Sequence, residues 1–320
     1  MSRYIFKRSL MMILVILGVI LVVYAIMDMS PIDPAKVILG DSATEETLAE
    51  LRKEMGLDDP FMVRYFRYVL NLLKGDMGVS YRNKVSVATQ IGDRLPNTIL
   101  LASCGVLFSL IGIPIGVATA KRQYSTFDNV TMVITLFAAA APAFWYGLIM
   151  VMIFSLNLRW FPSAGMGKGF VDLARSLVLP SITIGIRGAA NNARTTRSSM
   201  LEVMRQDYVD TAKAKGLDDR IITSRHMLRN ALIPVVTVVG LNFGVLLGGS
   251  VLTETVFSWP GVGRFVVESI KTQDIPSVLG CVVTLAIMFS IVNLLVDILY
   301  AFIDPRIKAQ YKRSGVTKNE

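Results

Sequence analysis

The chain has 320 residues, 53% hydrophobic and only 18% charged, which excludes an ordinary soluble domain, where about 25% are charged. Lys and Arg outnumber Asp and Glu by 33 to 24; this excess of +9 is spread in a way that marks topology and argues against nucleic-acid binding. Two cysteines inside apolar runs (Cys104 and Cys281) and a single histidine, His226, argue against a disulfide framework, a Cys- or His-based metal site and a Ser-His-Asp triad.

In chain order, the first predicted element is a charge-free run of 19 residues, Ser9 to Met27. Arg3, Lys7 and Arg8 ahead of it also suit a signal peptide. The run is followed by Asp28, Met29, Ser30 and Pro31 without a small-x-small cleavage pattern, so an uncleaved first span is expected. Residues 28–96 follow as a polar excursion with helical grammar of its own. Ser42 and Glu45 predict a capping box, with Leu48, Leu51 and Met55 as an apolar stripe that Gly56 stops. Asp59-Pro60 predicts a second helix carrying Phe61, Tyr65, Phe66, Val69 and Leu73 before Gly75. This segment reads first as a small cap lying on the membrane surface, with a docking or gating surface for a delivered solute as the sharper alternative; the two are compatible.

Further charge-free runs cover Asn97 to Ala120, Asn129 to Leu158, Asn230 to Thr253 and Ile275 to Val296, each longer than the roughly 18 residues that a spanning helix needs. Ser176 to Ala193, interrupted by Arg187, is counted as the fourth of six spans. With the N-terminus placed in the cytoplasm, the inner segments 1–8, 121–128, 194–229 and 304–320 hold 18 Lys and Arg against 8 Asp and Glu. The outer segments 28–96, 159–175 and 254–274 hold 14 against 15, the asymmetry expected of inner and outer loops. The expected fold is thus an all-α polytopic membrane protein of six transmembrane helices. Both termini are cytoplasmic, and a helical extracytoplasmic segment follows the first span. The divisions are 1–27, 28–96 and 97–320, the last with a cytoplasmic loop at 200–229 and a tail at 304–320.

The loop 200–229 is a charged island between apolar segments and cannot lie in hydrocarbon. Ser199 and Glu202 predict a capping box and a helix ending near Lys215-Gly216. Asp218 and Asp219 suit the start of another helix, with Arg225 and Arg229 near its end. Ala212, Ala214 and Gly216 offer a low-relief surface that a partner's backbone could approach. From these residues alone, a plain loop and a docking element stand level.

Two charges lie within spans. Arg187 and Asp297 are each seven residues from a charge at the inner end of their helix, about 10 Å deep. They could pair across the fourth and sixth spans; alternatively Arg187 lines a solute path with Asn191, Asn192 or Asn242, or reaches to the interface. In the segment 258–270, Trp259 suits the membrane interface and Pro260-Gly261 breaks the chain. That stretch reads as a packed re-entrant plug at the outer mouth, with direct solute contact as the alternative. The sequence GMGKG at 165–169 lacks the spacing and the Ser or Thr of a phosphate-binding loop.

DYVDTAKAKGL, followed by HMLRNALIPVVTVVGL, resembles the cytoplasmic signature of permease subunits from binding-protein-dependent ABC importers. That signature has the form E-A-A-x-x-x-G with a later proline. Asp210, Thr211, Ala212 and Gly216 occupy its positions and Pro234 is the later proline; Asp-Thr-Ala for Glu-Ala-Ala, and the longer interval to Pro234, resemble the dipeptide, oligopeptide and nickel branch. KGDMGVS at 74–80, RLPNT at 94–98, TRSSMLEV at 196–203 and LTETVFSWPGVGR at 252–264 fit the same branch. The resemblance implies a bacterial or archaeal plasma-membrane subunit that moves peptides or related solutes by alternating access. Its implied partners are a second homologous permease subunit, two ATP-binding subunits, an extracytoplasmic solute-binding protein and the lipid bilayer. Tyr208 to Gly216 would form a coupling helix seated in an ATPase, and ATP and Mg would be held by the partner subunits, so the chain binds no cofactor and is not an enzyme. Trp259, Pro260 and Gly261 would belong to an outer gate. A nickel or glutathione importer of the same family, a self-contained secondary transporter or channel, and a membrane enzyme are the competing classes; the docking signature and the lone His226 count against the last two.

Overall fold

The computed structural model describes residues 2–29, 33–40 and 43–303, apart from a few side chains that include Asp297. Ser42 and the tail 304–320 lie outside the described residues. The element order is α1 (Ser2–Asp28), α2 (Pro34–Leu39), α3 (Glu45–Glu54), α4 (Phe61–Leu73), α5 (Val87–Ser109) and α6 (Gly112–Lys121). Then come α7 (Thr126–Ala140), α8 (Ala143–Met150, extended by a wide π turn to Asn157), α9 (Phe170–Met204) and α10 (Asp207–Ala214). The chain ends with α11 (Asp219–Ile221, running through a π turn into α12), α12 (Arg229–Gly249), α13 (Val251–Val256), α14 (Val262–Lys271) and α15 (Ile275–Ile303). The described residues contain no β-strand beyond an isolated bridge between Val79 and Ser86.

Among the described residues, four helical stretches are long and apolar enough to cross a membrane: Arg8–Asp28, Val87–Lys121, Asp219–Gly248 and Ile275–Val296. The third expected run is not one straight span. It breaks at Ala141-Pro142, where α7 and α8 meet at 102°. Proline disfavours helical geometry in the residue before it, and Ala141 is extended (ψ 147°), so the break falls where Pro142 puts it. The Tyr146 hydroxyl donates to the Phe137 carbonyl at 2.9 Å across the bend. The fourth run is part of a 35-residue helix, α9, that carries too many polar groups to count as apolar.

α9 is the central post, packed against α5, α6, α7, α8 and α12, while α15 packs against α1, α5, α12 and α14. Small residues allow the closest crossings. A Cβ on Gly112 would lie 2.0 Å from the Ala189 carbonyl oxygen, and one on Gly116 would lie 2.5 Å from that of Ala193. Two glycines one turn apart thus face two alanines one turn apart, the arrangement that brings membrane helices into backbone contact. Gly116→Leu is therefore expected to wedge α6 off α9 and destabilise the bundle by about 1–3 kcal/mol or more; a lower unfolding temperature of the detergent-solubilised protein is the readout. A buried Asp128 at the start of α7 adds a polar tie, receiving Arg197 Nε and Nη2 of α9 at 2.6 Å each.

The helices of residues 33–80 differ from expectation at one end. Thr44 caps α3, its hydroxyl accepting from the Thr47 N–H at 3.4 Å. Gly56 and Gly75 stop α3 and α4 as expected, each with positive φ (64° and 82°). KGDMGVS folds into a turn whose Ser80 donates to the Asp274 carboxylate at 2.5 Å, fixing it to the start of α15.

Candidate functional site

At one end of the bundle, α9 stops at Met204 and α10 follows after Arg205 and Gln206. Ser199 lies inside α9 rather than at a cap, because the helix continues unbroken through Glu202. α10 ends in a Schellman motif: the Gly216 N–H donates to the Lys213 carbonyl (2.9 Å) and the Leu217 N–H to that of Ala212 (3.4 Å), with Gly216 at φ +73°. Asp218 then caps α11 through the Arg220 N–H at 2.7 Å. The helix begun there does not end near Arg229 as the charges suggested; it passes without a break into α12, with Pro234 inside it and exposed.

α10 is two-sided. Val209 and Ala212 are buried with Met200, Ile222, Met227, Ala231 and Ala120, so that α6, α9, α10, α11 and α12 share one apolar cluster. Ala212 thus packs against its own chain and adds nothing to the low-relief surface expected of it. Asp207, Tyr208, Asp210, Thr211, Lys213 and Ala214 are exposed. Asn230 Nδ2 donates to the Tyr208 hydroxyl at 3.0 Å and to the His226 carbonyl at 2.9 Å, which ties the exposed face to α12. Lys121 reaches Asp219 at 2.5 Å, tying the end of α6 to α11. These contacts join α10 and α11 to α6, α9 and α12.

At the other end, the loop after α13 folds around a buried carboxylate. Glu254 is fully buried, accepting from the Ser250 hydroxyl at 3.0 Å and the Arg264 N–H at 2.9 Å. It therefore caps the N-terminus of α14, where unpaired N–H groups favour negative charge. Any Cβ on Gly261 would lie 2.4 Å from that carboxylate, which is why glycine stands there. Trp259 is also fully buried: its ring packs with Leu101 and Ile184, and its Nε1–H donates to the Asn97 carbonyl at 3.0 Å. Trp259 thus turns its ring into the protein and away from its surface, a core residue joining the loop to α5 and α9. Asn97 Nδ2 returns a bond to the Pro260 carbonyl (2.9 Å), and the Val262 N–H donates to the Thr98 hydroxyl (2.9 Å). Sequence reasoning missed Glu254; the signal was a lone acid at the end of a charge-free run, ten residues before Arg264.

Burial pushes the Glu254 carboxyl above its ordinary range, opposed by the Arg264 and Gly263 N–H groups and the Thr98 and Ser250 hydroxyls. A carboxyl raised on folding stabilises most fully below its unfolded value of about 4.3, and that contribution is lost as pH rises through the raised value. Glu254→Gln should accordingly flatten the fall in thermal stability on that rise, measured as unfolding temperature against pH; an unchanged slope would assign the slope to other groups.

Within the bundle, Arg187 is exposed on α9 and has no hydrogen-bond or ion-pair partner among the described residues. The side chain of Asp297 lies outside the described residues, and α12 packs against both α9 and α15. Asn191, one turn from Arg187, is half-buried on the same face. Asn192 faces the other way, buried and donating to the Ser109 carbonyl at 3.0 Å, so it ties α9 to α5 and lines no path. Asn242 is half-buried on α12, its Nδ2 enclosed without a partner among the described residues.

Apolar crossing helices around a polar-studded post, with a two-sided helix at one end, define a polytopic membrane protein. Residues 112–309 match the family described as "Binding-protein-dependent transport system inner membrane component", and residues 1–102 match the N-terminal family of such membrane components. The chain belongs to this family. It is 39% identical to the dipeptide transport system permease protein DppB of Alkalihalophilus pseudofirmus, over 96% of this chain and 100% of that one. It is 38% identical to the oligopeptide transport system permease protein AppB of Bacillus subtilis, with 96% and 100% covered. It is also 38% identical to the glutathione transport system permease protein GsiC of Salmonella paratyphi A, with 96% and 99% covered. Among solved structures, an inward-facing MetNI methionine ABC transporter shares the fold, with TM-score 0.54 and 16% identity over 67% of this chain and 96% of that one. The chain is thus a multi-pass inner-membrane permease subunit of an ABC importer, without catalytic function of its own, and works with ATPase and binding-protein partners.

Proposed function

We propose that the chain is one permease of a peptide importer, with six spans made by α1, α5–α6, α7–α8, α9, α11–α12 and α15. The Lys and Arg distribution supports cytoplasmic termini, which puts α10 in the cytoplasm and α14 outside. In this reading α10 is the coupling helix, seated in one of two ATPase subunits. Closure of the ATPases moves α9 and α12 and switches the pathway between inward- and outward-facing states. The observation that carries the reading is the two-sidedness of α10: Val209 and Ala212 root it in the bundle, while Tyr208, Asp210 and Thr211 face outward. ATP and Mg belong to the partner ATPases. Arg187, Asn191 and Asn242 line the path shared with a second, homologous permease subunit. Trp259, Pro260 and Gly261 hold the outer gate.

Peptides are the proposed solutes because the similar permeases are named for dipeptides, oligopeptides and glutathione, itself a small peptide. A glutathione importer is the second reading, favoured by the last of these. Uptake of labelled dipeptide or glutathione into vesicles, dependent on ATP and on the neighbouring binding protein, tests both. Few charged groups lie within the spans, so specificity should come mainly from the binding protein. The permease pair and ATPases reconstituted without it are expected to show no high-affinity solute binding, by equilibrium titration; high-affinity binding there would overturn this view.

A further inference from the structure

α4 belongs to the segment that charge distribution places outside the membrane, yet its contacts reach far down two spanning helices. The Tyr65 hydroxyl donates to the Leu17 carbonyl at 3.1 Å. Leu17 is eleven residues before Asp28, the end of α1, hence about 16 Å along the helix. The same ring is buried against Ile20 of α1 and Val283 of α15, and Val283 lies eight residues, about 12 Å, from the start of α15. A hydrocarbon core is about 30 Å thick, so two independent helices put this phenol near mid-bilayer depth. The Tyr24 ring, one turn from the end of α1, meets Phe61, Tyr65 and Tyr68 of α4 at 5.8, 6.3 and 5.7 Å between centroids. A helix resting on the headgroups could not make all these contacts.

The rest of α4 fits the same depth. Met62, Val63, Phe66, Leu70 and Leu73 are exposed, on a face that its own chain leaves open. Arg64, Tyr68 and Asn71 form the opposite, narrower stripe and line a cavity of about 560 Å³ beneath α2 and α3. The stripe is held upward: Arg64 pairs with Asp28, and Arg67 pairs with Asp59 at 2.5 Å. α1, on which α4 packs, also leaves an apolar face exposed, including Leu14, Val15, Val22 and Ile26, in a candidate span with only 6% of its residues buried.

We propose that α4 is sunk into the leaflet on the Asp28 side of the membrane, with lipid acyl chains covering Met62, Phe66, Leu70 and Leu73. Arg64 and Arg67 reach up to carboxylates at the headgroup level, as long basic side chains do at membrane interfaces. The segment after the first span is then anchored in lipid as well as packed on protein, so it moves with α1 and α15 rather than as a free cap.

The test uses the permease–ATPase complex in vesicles of phosphatidylethanolamine and phosphatidylglycerol, with Cys104 and Cys281 replaced by alanine. Phe66→Cys and Leu70→Cys are spin-labelled one at a time, with Glu50→Cys, on the exposed face of α3, as the aqueous reference. At positions 66 and 70, collisions with oxygen should exceed those with a water-soluble nickel chelate several-fold, with the reverse at 50. Nickel access at 66 and 70 equal to that at 50 would put the face in water and overturn the proposal. Exclusion of both reagents would put a protein partner there and overturn it equally. Both sites are exposed, so neither substitution threatens the fold.

Discussion

Gly216→Trp is expected to abolish ATP-driven uptake while the complex still assembles and hydrolyses ATP. Gly216 sits at φ +73°, and a side chain there costs about 1–2 kcal/mol for conformation alone. A Cβ at this position meets nothing within 4 Å, so the chain itself has room for a larger residue. Gly216→Ala should therefore show only the conformational cost, with uptake largely kept. Tryptophan adds bulk that projects into the space proposed for the ATPase. The difference between the two variants isolates the partner's sterics from backbone strain. Asp210→Lys probes the same contact by charge: it removes the 3.2 Å contact with Lys213 and places a cation in the first turn of α10. For the fold that is worth about 0.3–1 kcal/mol on an exposed helix. A fall in uptake of about tenfold or more, equivalent to about 1.4 kcal/mol of coupling, would then have to come from the docking contact. Uptake by proteoliposomes, divided by phosphate released, is the measurement. Wild-type ratios for Gly216→Trp and Asp210→Lys would remove α10 from the coupling role.

The motifs quoted from the sequence turn out to be joints. Arg94 of RLPNT lies 4.3 Å over the Phe265 ring, and Asn97 and Thr98 of that motif hold the loop at Pro260 and Val262. Arg197 of TRSSMLEV binds the buried Asp128, and Met200 fills the cluster under α10. Apolar runs gave the helices because hydrocarbon-length stretches have few alternatives. The bend at Ala141-Pro142 was hidden because the run reads as uniformly apolar on both sides of it, although Pro142 marks the spot. Pairings such as the Glu254 carboxylate with the Arg264 backbone N–H, or Asp128 with the Arg197 guanidinium, are not written in local spacing. Their charges look like loop charges until the fold closes over them. The depth of α4 was hidden for a similar reason: its tyrosines report membrane position only through the helices they touch.

Trp259→Ala is expected to cost about 3–5 kcal/mol, the range for emptying a large buried aromatic site. Trp259 is the largest fully buried side chain among the described residues, seated where α5, α9 and the loop meet. Its removal leaves Leu101 and Ile184 facing a void. Trp259→Phe keeps most of the ring and loses the N–H donor to Asn97, so a smaller loss of about 0.5–1.5 kcal/mol should follow. The two variants also separate the readings of the outer loop. If the loop is a packed plug, both should raise passive leakage of small solutes in order of their stability loss, and the preference among peptides should stay fixed. If the ring touches solute, Trp259→Phe should shift that preference with little leakage. The burial of Trp259 and the four bonds that link Asn97, Thr98 and Glu254 to the loop favour the plug. Unfolding temperature and vesicle leakage, taken on the same preparations, decide it. A Trp259→Ala protein as stable as the wild type would show that this packing does not hold the loop, and the gate would have to be sought elsewhere.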